Sequence, residues 1–218
     1  MGMGATSVRA QEVTVAVWDF DLNALDRAQA SGIAQYTRAL PELLTQHILT
    51  YPGTRVVERS KLREILDEQK LGSSALSDED TRIRLGRLSG ARHMIFGSAL
   101  SIGPMTRLDV RLVSVETSRV EASFEVSGAP AELPEQMGPL AHDLASSLLG
   151  AALTKSPNVD ALQANASTLA LFDTGLAQMD RQDYEAAIAT FKKVLTLSPG
   201  FAPAERTIRT ALEKLSTQ

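Results

Sequence analysis

Two neighbouring segments, Thr106 to Val115 and Arg119 to Val126, alternate apolar and polar residues with a period of two, the pattern of a half-buried antiparallel ladder. Leu108, Val110 and Leu112 share one face, and Val120, Ala122, Phe124 and Val126 share one on the second segment. Arg107, Asp109, Arg111, Glu121 and Glu125 fall opposite. Parity then restricts the register. Both apolar sets carry even numbers, so residues directly paired across the ladder must have an even sum. A two-residue turn at Thr117-Ser118 would pair Glu116 with Arg119 and turn one apolar set outward. The spacing therefore predicts a three-residue loop at Glu116-Thr117-Ser118, or a bulge, and forbids Leu112 opposite Ser123 in an undistorted ladder.

A second kind of strand comes first in the chain. Val13 to Phe20 is β-branched or apolar at nearly every position, as expected of a central strand covered on both faces. Asp19 and Asp21 at its end read as loop or cap residues rather than a metal or acid pair. Ile33, Tyr36, Leu40, Leu43, Leu44, His47 and Ile48 recur at helical spacing, with a kink or restart expected at Pro41. His47 reads as a packed helix histidine. After the Pro52-Gly53 turn, Arg55 to Lys70 reads as a short strand running into a helix capped by Ser60. Its apolar face is Leu62, Ile65 and Leu66, extended by Gln69, and its charged face reads as solvated. A loop at 72–76 and a capping box at Ser77 precede a helix bearing Arg82, Arg84, Arg87 and then Arg92, which Gly90 stops. His93 to Ile102 is the next strand, turned by Gly103-Pro104. A helix from Pro134 or Pro139 to Leu149 presents Met137, Leu140, Leu144 and Leu148 and ends at Gly150. The expected fold class is α/β, a mixed sheet flanked by helices, followed by a small all-α unit. Its helices are expected at Thr168–Met179, Tyr184–Leu197 and about Pro203 to Leu215. The boundaries expected are a leader at 1–11, the α/β domain at 12–150, a linker at 151–165 and the helical unit at 166–218.

The chain has 218 residues, no cysteine and a net charge of -4. That length supports a core without disulfides, and the missing thiols exclude cysteine nucleophiles and cysteine-ligated metal. The charge gives no long-range attraction to nucleic acid, which is not expected as a partner. No apolar run of about 18 residues exists, so no membrane-spanning helix is expected. Val8 and Ala10, before Gln11, resemble the end of a secretory signal without its charged and apolar regions. The expectation is an exported, periplasmic protein whose signal peptide has been removed; a leader without meaning is the other reading.

Five short stretches occur in order: Val15-Ala16-Val17-Trp18-Asp19-Phe20, Arg55-Val56-Val57-Glu58-Arg59-Ser60-Lys61-Leu62, Glu68-Gln69, Leu85-Gly86-Arg87-Leu88-Ser89-Gly90-Ala91, and Ile95-Phe96-Gly97-Ser98. Through them, residues 13 to 128 resemble the curli-assembly (CsgG-like) family of bacterial envelope proteins. The same α/β domain occurs in lipoprotein activators of penicillin-binding proteins and in flagellar envelope proteins. The resemblance implies a periplasm-side, non-catalytic module that oligomerises or docks on partners. Curli-type channels insert long extra hairpins to build a barrel. Here only a tight turn joins Leu100 to Thr106 and the outer hairpin face is charged, so no pore of its own is expected. The lipidated N-terminal cysteine of that family is missing from this sequence.

Residues 168 to 201 resemble one tetratricopeptide repeat, with Gly175, Ala187, Phe191 and Pro199 on its signature spacing. Gly175 and Ala187 are small where two helices would cross. Leu169, Phe172, Leu176 and Met179 take the groove-side positions of the motif. All four are apolar, which favours packing within the chain or on a second copy over a groove for a polar peptide. They, with Arg82, Arg84 and Arg87, are the candidate protein-contact residues.

No phosphate-binding glycine loop or nucleophile elbow appears, and His47, His93 and His142 lack metal-ligand spacing. No enzyme, cofactor, metal or catalytic residue is expected. The expected role is a non-enzymatic envelope assembly or accessory protein acting through protein contacts, with self-association among them. The alternative is a regulator that docks on an envelope enzyme such as a cell-wall synthase.

Overall fold

A computed structural model describes residues 12–23, 32–69, 79–150, 153, 157 and 160–217. The leader, the loop at 72–76, the Ser77 cap and much of the linker lie outside the described residues. In chain order the elements are β1 (Val13–Val17), β2 (Asp21–Asn23), α1 (Ala39–Ile48), β3 (Thr54–Val57), α2 (Arg59–Glu68), α3 (Glu79–Ser89), β4 (His93–Ile102), β5 (Met105–Ser114), β6 (Val120–Gly128), α4 (Leu133–Leu149), α5 (Ala166–Asp180), α6 (Tyr184–Leu197) and α7 (Ala202–Ser216), with a 3-10 turn at Asp160–Leu162.

The strands form one mixed six-stranded sheet, ordered β3-β1-β4-β5-β6, with β2 also on β4. Its β3-β1-β4 part is parallel and its β4-β5-β6 part antiparallel. The two strand patterns in the sequence separate along this line. β1 lies between two parallel neighbours and is covered on both faces. Val15 and Val17 enter one core with α1 and α4, while Ala16 and Trp18 enter a second with α2 and α3. In the antiparallel part, Leu108, Val110 and Leu112 face the first core, and Arg107 and Arg111 face outward, exposed. The ladder pairs Leu112 with Ala122, and the register shifts between Leu112 and Val113. Parity demanded that irregularity.

The Val13–Phe20 run is not one strand. It leaves the sheet after Val17 and resumes as β2, with the partners on β4 slipping by one residue between the two pieces. The break spans Trp18, Asp19 and Phe20, and Phe20 turns back over the sheet to lie against Gly97. A Cβ on Gly97 would stand 2.2 Å from Phe20 Cδ1, and Phe20 is itself buried. Gly97→Ala should therefore cost about 1–3 kcal/mol through overpacking, read as a lower urea midpoint at unchanged slope. A neutral result would mean that the Phe20 ring can move aside.

Two local expectations are corrected. Ser60 does not cap α2: the helix starts at Arg59, and Glu58, extended at φ -64 and ψ 141, is the residue before it. Ser60 thus lies inside the first turn, two positions past the N-cap. Gln69 ends α2 exposed and adds nothing to the Leu62–Ile65–Leu66 face. Elsewhere α1 restarts at Ala39, which puts Pro41 in the first turn, where the missing N–H costs no helix bond. Gly150 closes α4 at φ 61, in the left-handed region.

Asn165 and Asp183 cap α5 and α6 by accepting from the backbone N–H groups of Thr168 and Ala186. The two helices cross where Gly175 faces Phe191: a Cβ there would lie 2.4 Å from Phe191 Cε1. The ring of Phe172 meets those of Phe191 and Phe201, each at 5.4 Å between centroids. These residues continue the core that covers the sheet, through α1 and α4, rather than forming one of their own.

Candidate functional site

Asp19 stands in the break between β1 and β2, at the end of a buried strand. Arg59 and Arg63 lie one turn apart at the start of α2. Arg38 precedes α1, and Asp173 and Asp180 project from α5. Three arginines and three aspartates, drawn from both ends of the chain, meet in one half-buried seam. Arg59 donates from Nε and Nη2 to the two oxygens of Asp19, both at 2.8 Å. It also donates from Nη1 and Nη2 to those of Asp180, at 2.6 and 2.8 Å. Arg63 donates to Asp19, and its guanidinium lies 5.0 Å from the centre of the Trp18 ring. Arg38 Nε donates to Asp180 Oδ2 at 3.1 Å.

Asp173 adds a helix cap supplied from a distance. Its Oδ1 accepts from the backbone N–H groups of Arg38 and Ala39, at 2.7 and 2.9 Å. Arg38, at the N-cap of α1, offers no side-chain cap of its own. A carboxylate on α5 therefore satisfies the opening of a helix more than 130 residues earlier in the chain. Burial alone would raise the Asp19 and Asp180 carboxyls. Arg59, helped by Arg63, outweighs that and holds both below the usual carboxylate range. The same partners raise Arg59 despite its burial. Asp19 is a loop residue as expected, but one bound in an ion-pair seam; of the α2 charges Lys61, Asp67 and Glu68 are exposed as expected, while Arg63 is drawn into the seam.

Beside the seam runs a cleft of about 470 Å³ between β3, α1 and α2 on one side and α5, α6 and α7 on the other. Glu42, Gln46, Arg59, Arg63, Arg206 and Thr210 line its polar part, and Leu49, Val56, Leu66, Leu176 and Met179 its apolar part. Lys214 of α7 reaches across to Glu64 of α2.

Leu169, Phe172 and Leu176 are buried in the shared core, and Met179 is half-buried at the cleft wall. Arg82 is buried and bound to Asp21 at 2.5 Å, with its guanidinium 5.4 Å from the centre of the Phe96 ring. Arg84 and Arg87 are exposed, and Arg87 Nε donates to the carbonyl of Val115 at 3.2 Å. The structure does not bring Arg82 together with Arg84 and Arg87 as one cationic face. The seam was missed by sequence reasoning because its acids and bases lie far apart in sequence. The usable signal was Asp19 itself, a carboxylate at the exit of a strand buried on both faces.

His47 lies 7% exposed against Gly138, beside Tyr51 and His142, and burial pulls its pKa down to about 4. The folded state thus resists a proton that the unfolded chain takes up near pH 6.5. Stability is full above that value and falls as pH drops towards 4. Between pH 7 and pH 5 the loss should be about 2 kcal/mol, and His47→Gln should remove it. Urea titrations of both proteins at the two pH values check this; an equal drop in both would assign the effect elsewhere.

The chain is similar to known proteins in a family model and in solved structures. Residues 3–103 match the family of the curli production assembly/transport component CsgG. The CsgG match takes in Asp19, Arg38, Arg59 and Arg63, whereas Asp173 and Asp180 lie beyond it. No curated protein matches the chain. Among solved structures, the LpoB C-terminal domain from Salmonella enterica is similar at 16% identity and a TM-score of 0.43, covering 56% of this chain and 87% of that one. Lipoprotein GNA1162 from Neisseria meningitidis is similar at 15% identity and a TM-score of 0.38, covering 54% and 80%. The PelC dodecamer from Paraburkholderia phytofirmans is similar at 13% identity and a TM-score of 0.36, covering 65% and 91%. Among the described residues, no helix is long and apolar enough to cross a membrane.

Proposed function

We propose that this protein is a non-catalytic accessory protein of the bacterial envelope that acts by docking on a protein partner, as a regulator of an envelope enzyme such as a cell-wall synthase. The observation that carries this reading is the CsgG match over residues 3–103, in a chain whose C-terminal helices are built into the core that covers the sheet. Leu169, Phe172 and Leu176 are occupied within the chain, which speaks against a separate tetratricopeptide unit offering a peptide groove. The two-residue turn at Gly103-Pro104 and the charged outer face of β5 and β6 speak for a role without a pore of its own.

The docking surface proposed is the outer face of α3. Arg84 and Arg87 are exposed there one turn apart, next to Leu88, which is 51% exposed. Such a strip suits an acidic partner surface with an apolar centre. Cross-linking in the native cell should recover envelope proteins, and Arg84→Glu with Arg87→Glu should abolish that recovery while destabilising the fold by only about 1 kcal/mol, the loss of the Arg87–Val115 hydrogen bond. Recovery of cytosolic proteins alone removes the envelope reading. Solution mass separates the two roles: a monomer fits a docking regulator, and a ring fits an assembly factor.

A further inference from the structure

Most charges around the cleft beside the seam are spent. Arg59 and Arg63 are bound to Asp19 and Asp180, and Lys214 is bound to Glu64. Two half-buried groups remain. Glu42 of α1 accepts one hydrogen bond, from Gln46 Nε2 to its Oε1 at 2.8 Å, and no described cation lies within ion-pair distance of it. Arg206 of α7 has no described acid within that distance either, although its charge is felt at Glu42. A carboxylate and a guanidinium thus line one cleft from opposite sides without closing on each other. Leu49, Val56 and Leu66 supply apolar wall beside them. Burial raises the Glu42 carboxyl, which is the cost of holding an acid there without a direct counter-charge.

We propose that this cleft binds a small zwitterion, a free amino acid or dipeptide, whose ammonium pairs with Glu42 and whose carboxylate is held by Arg206. The chemistry follows from the two half-buried unpaired charges, since exposed Glu58 and Asp67 are served by water. An amine alone would satisfy Glu42 and leave Arg206, and a carboxylate alone would do the reverse. A molecule carrying both, with an apolar side chain between them, satisfies both groups and uses the apolar wall. A guanidinium grips a carboxylate through paired N–H donors, so the carboxylate end carries the directional contact. About 470 Å³ is room for a dipeptide. The site is independent of the docking face on α3, so either proposal can fail alone.

Calorimetric titration of the whole chain tests it, with L-leucine and L-alanyl-L-leucine as probes. The N-acetylated dipeptide lacks the ammonium, and the dipeptide amide lacks the carboxylate. The expected result is saturable binding of at least one zwitterion, weakened at least about tenfold in each blocked form. Arg206→Gln should bind the amide as well as the free dipeptide, and Glu42→Gln should bind the acetylated form as well as the free one. Both variants should keep the parent circular dichroism spectrum, since neither removes a described ion pair. No heat from either zwitterion overturns the proposal. So does equal binding of the free and blocked dipeptides, which would make the cleft merely apolar.

Discussion

Arg59→Ala should destabilise the protein by about 3–5 kcal/mol, more than loss of any charge on the β5–β6 surface. The guanidinium has four hydrogen bonds to two carboxylates, and its side chain is only 12% exposed. Removing it leaves Asp19 with Arg63, and Asp180 with Arg38 and the longer contact to Arg63, both half-desolvated. The cost is that of carboxylates stranded in a site built for a bidentate partner. Arg107 is the contrast. It bonds Asp109 and Glu125 at comparable distances, but on the open face of the sheet where water screens the pair. Arg107→Ala should leave the urea midpoint unmoved. A loss below about 1 kcal/mol at Arg59 would place the seam with such surface pairs and remove its structural role. Replacing Asp19, Arg59 and Asp180 together by Asn, Met and Asn should recover part of the loss, because no carboxylate of the pair is then stranded, and Arg63, which loses both its acids, is exposed enough to reach water.

Acid should act on the same seam by another route. Asp19 and Asp180 are held below the usual carboxylate range, so their contribution is present above about pH 4 and is lost as pH falls further. His47 acts in a higher window, between pH 6.5 and about 4. The two losses therefore occur in sequence on acidification, histidine first.

What could be read in advance was what local rules govern. Alternation placed β5 and β6 and forced an irregularity between them. The run apolar on both faces placed β1 at the centre of the sheet. Helical spacing placed α4 and α6 to within a few residues, and placed α1 with its start seven residues early, at Gly32 instead of Ala39. The misses have a common cause. Asp19, Arg59 and Asp173 carry nothing in their own neighbourhoods that marks them as partners, because the groups that neutralise them arrive from elements far along the chain. A strand exit, a helix face and a helix interior each have an ordinary local explanation, and only the fold sets it aside. Ser60 failed differently. Ser is a favoured cap, but the backbone enters the helix at Arg59, so the cap position falls on Glu58 and Ser60 is left inside the first turn.

Phe172→Asp with Leu176→Asp should bring the whole protein down in one transition rather than release the C-terminal helices alone. Both residues are almost fully buried on one face of α5. Emptying a buried phenylalanine site alone costs about 3–5 kcal/mol, and two carboxylates add their desolvation, which together rivals the 5–15 kcal/mol of a typical domain. The reason for a single transition lies in what these helices touch. Phe172 and Leu176 share a core with Leu40 and Leu44 of α1, and α1 covers β1. Asp173, between them on the same helix, caps α1, and Asp180 completes the pairing of Arg59. Losing α5 therefore uncaps one helix of the α/β part and strands a charge on another. Circular dichroism at a helix wavelength and Trp18 fluorescence, which reports the opposite face of the sheet, should give coincident melting curves, both shifted far below the parent. If the Trp18 signal melted at the parent temperature while helix content fell early, the C-terminal helices would be a separable unit. A normally stable variant that lost only a binding partner would restore the peptide-groove reading of Leu169, Phe172, Leu176 and Met179.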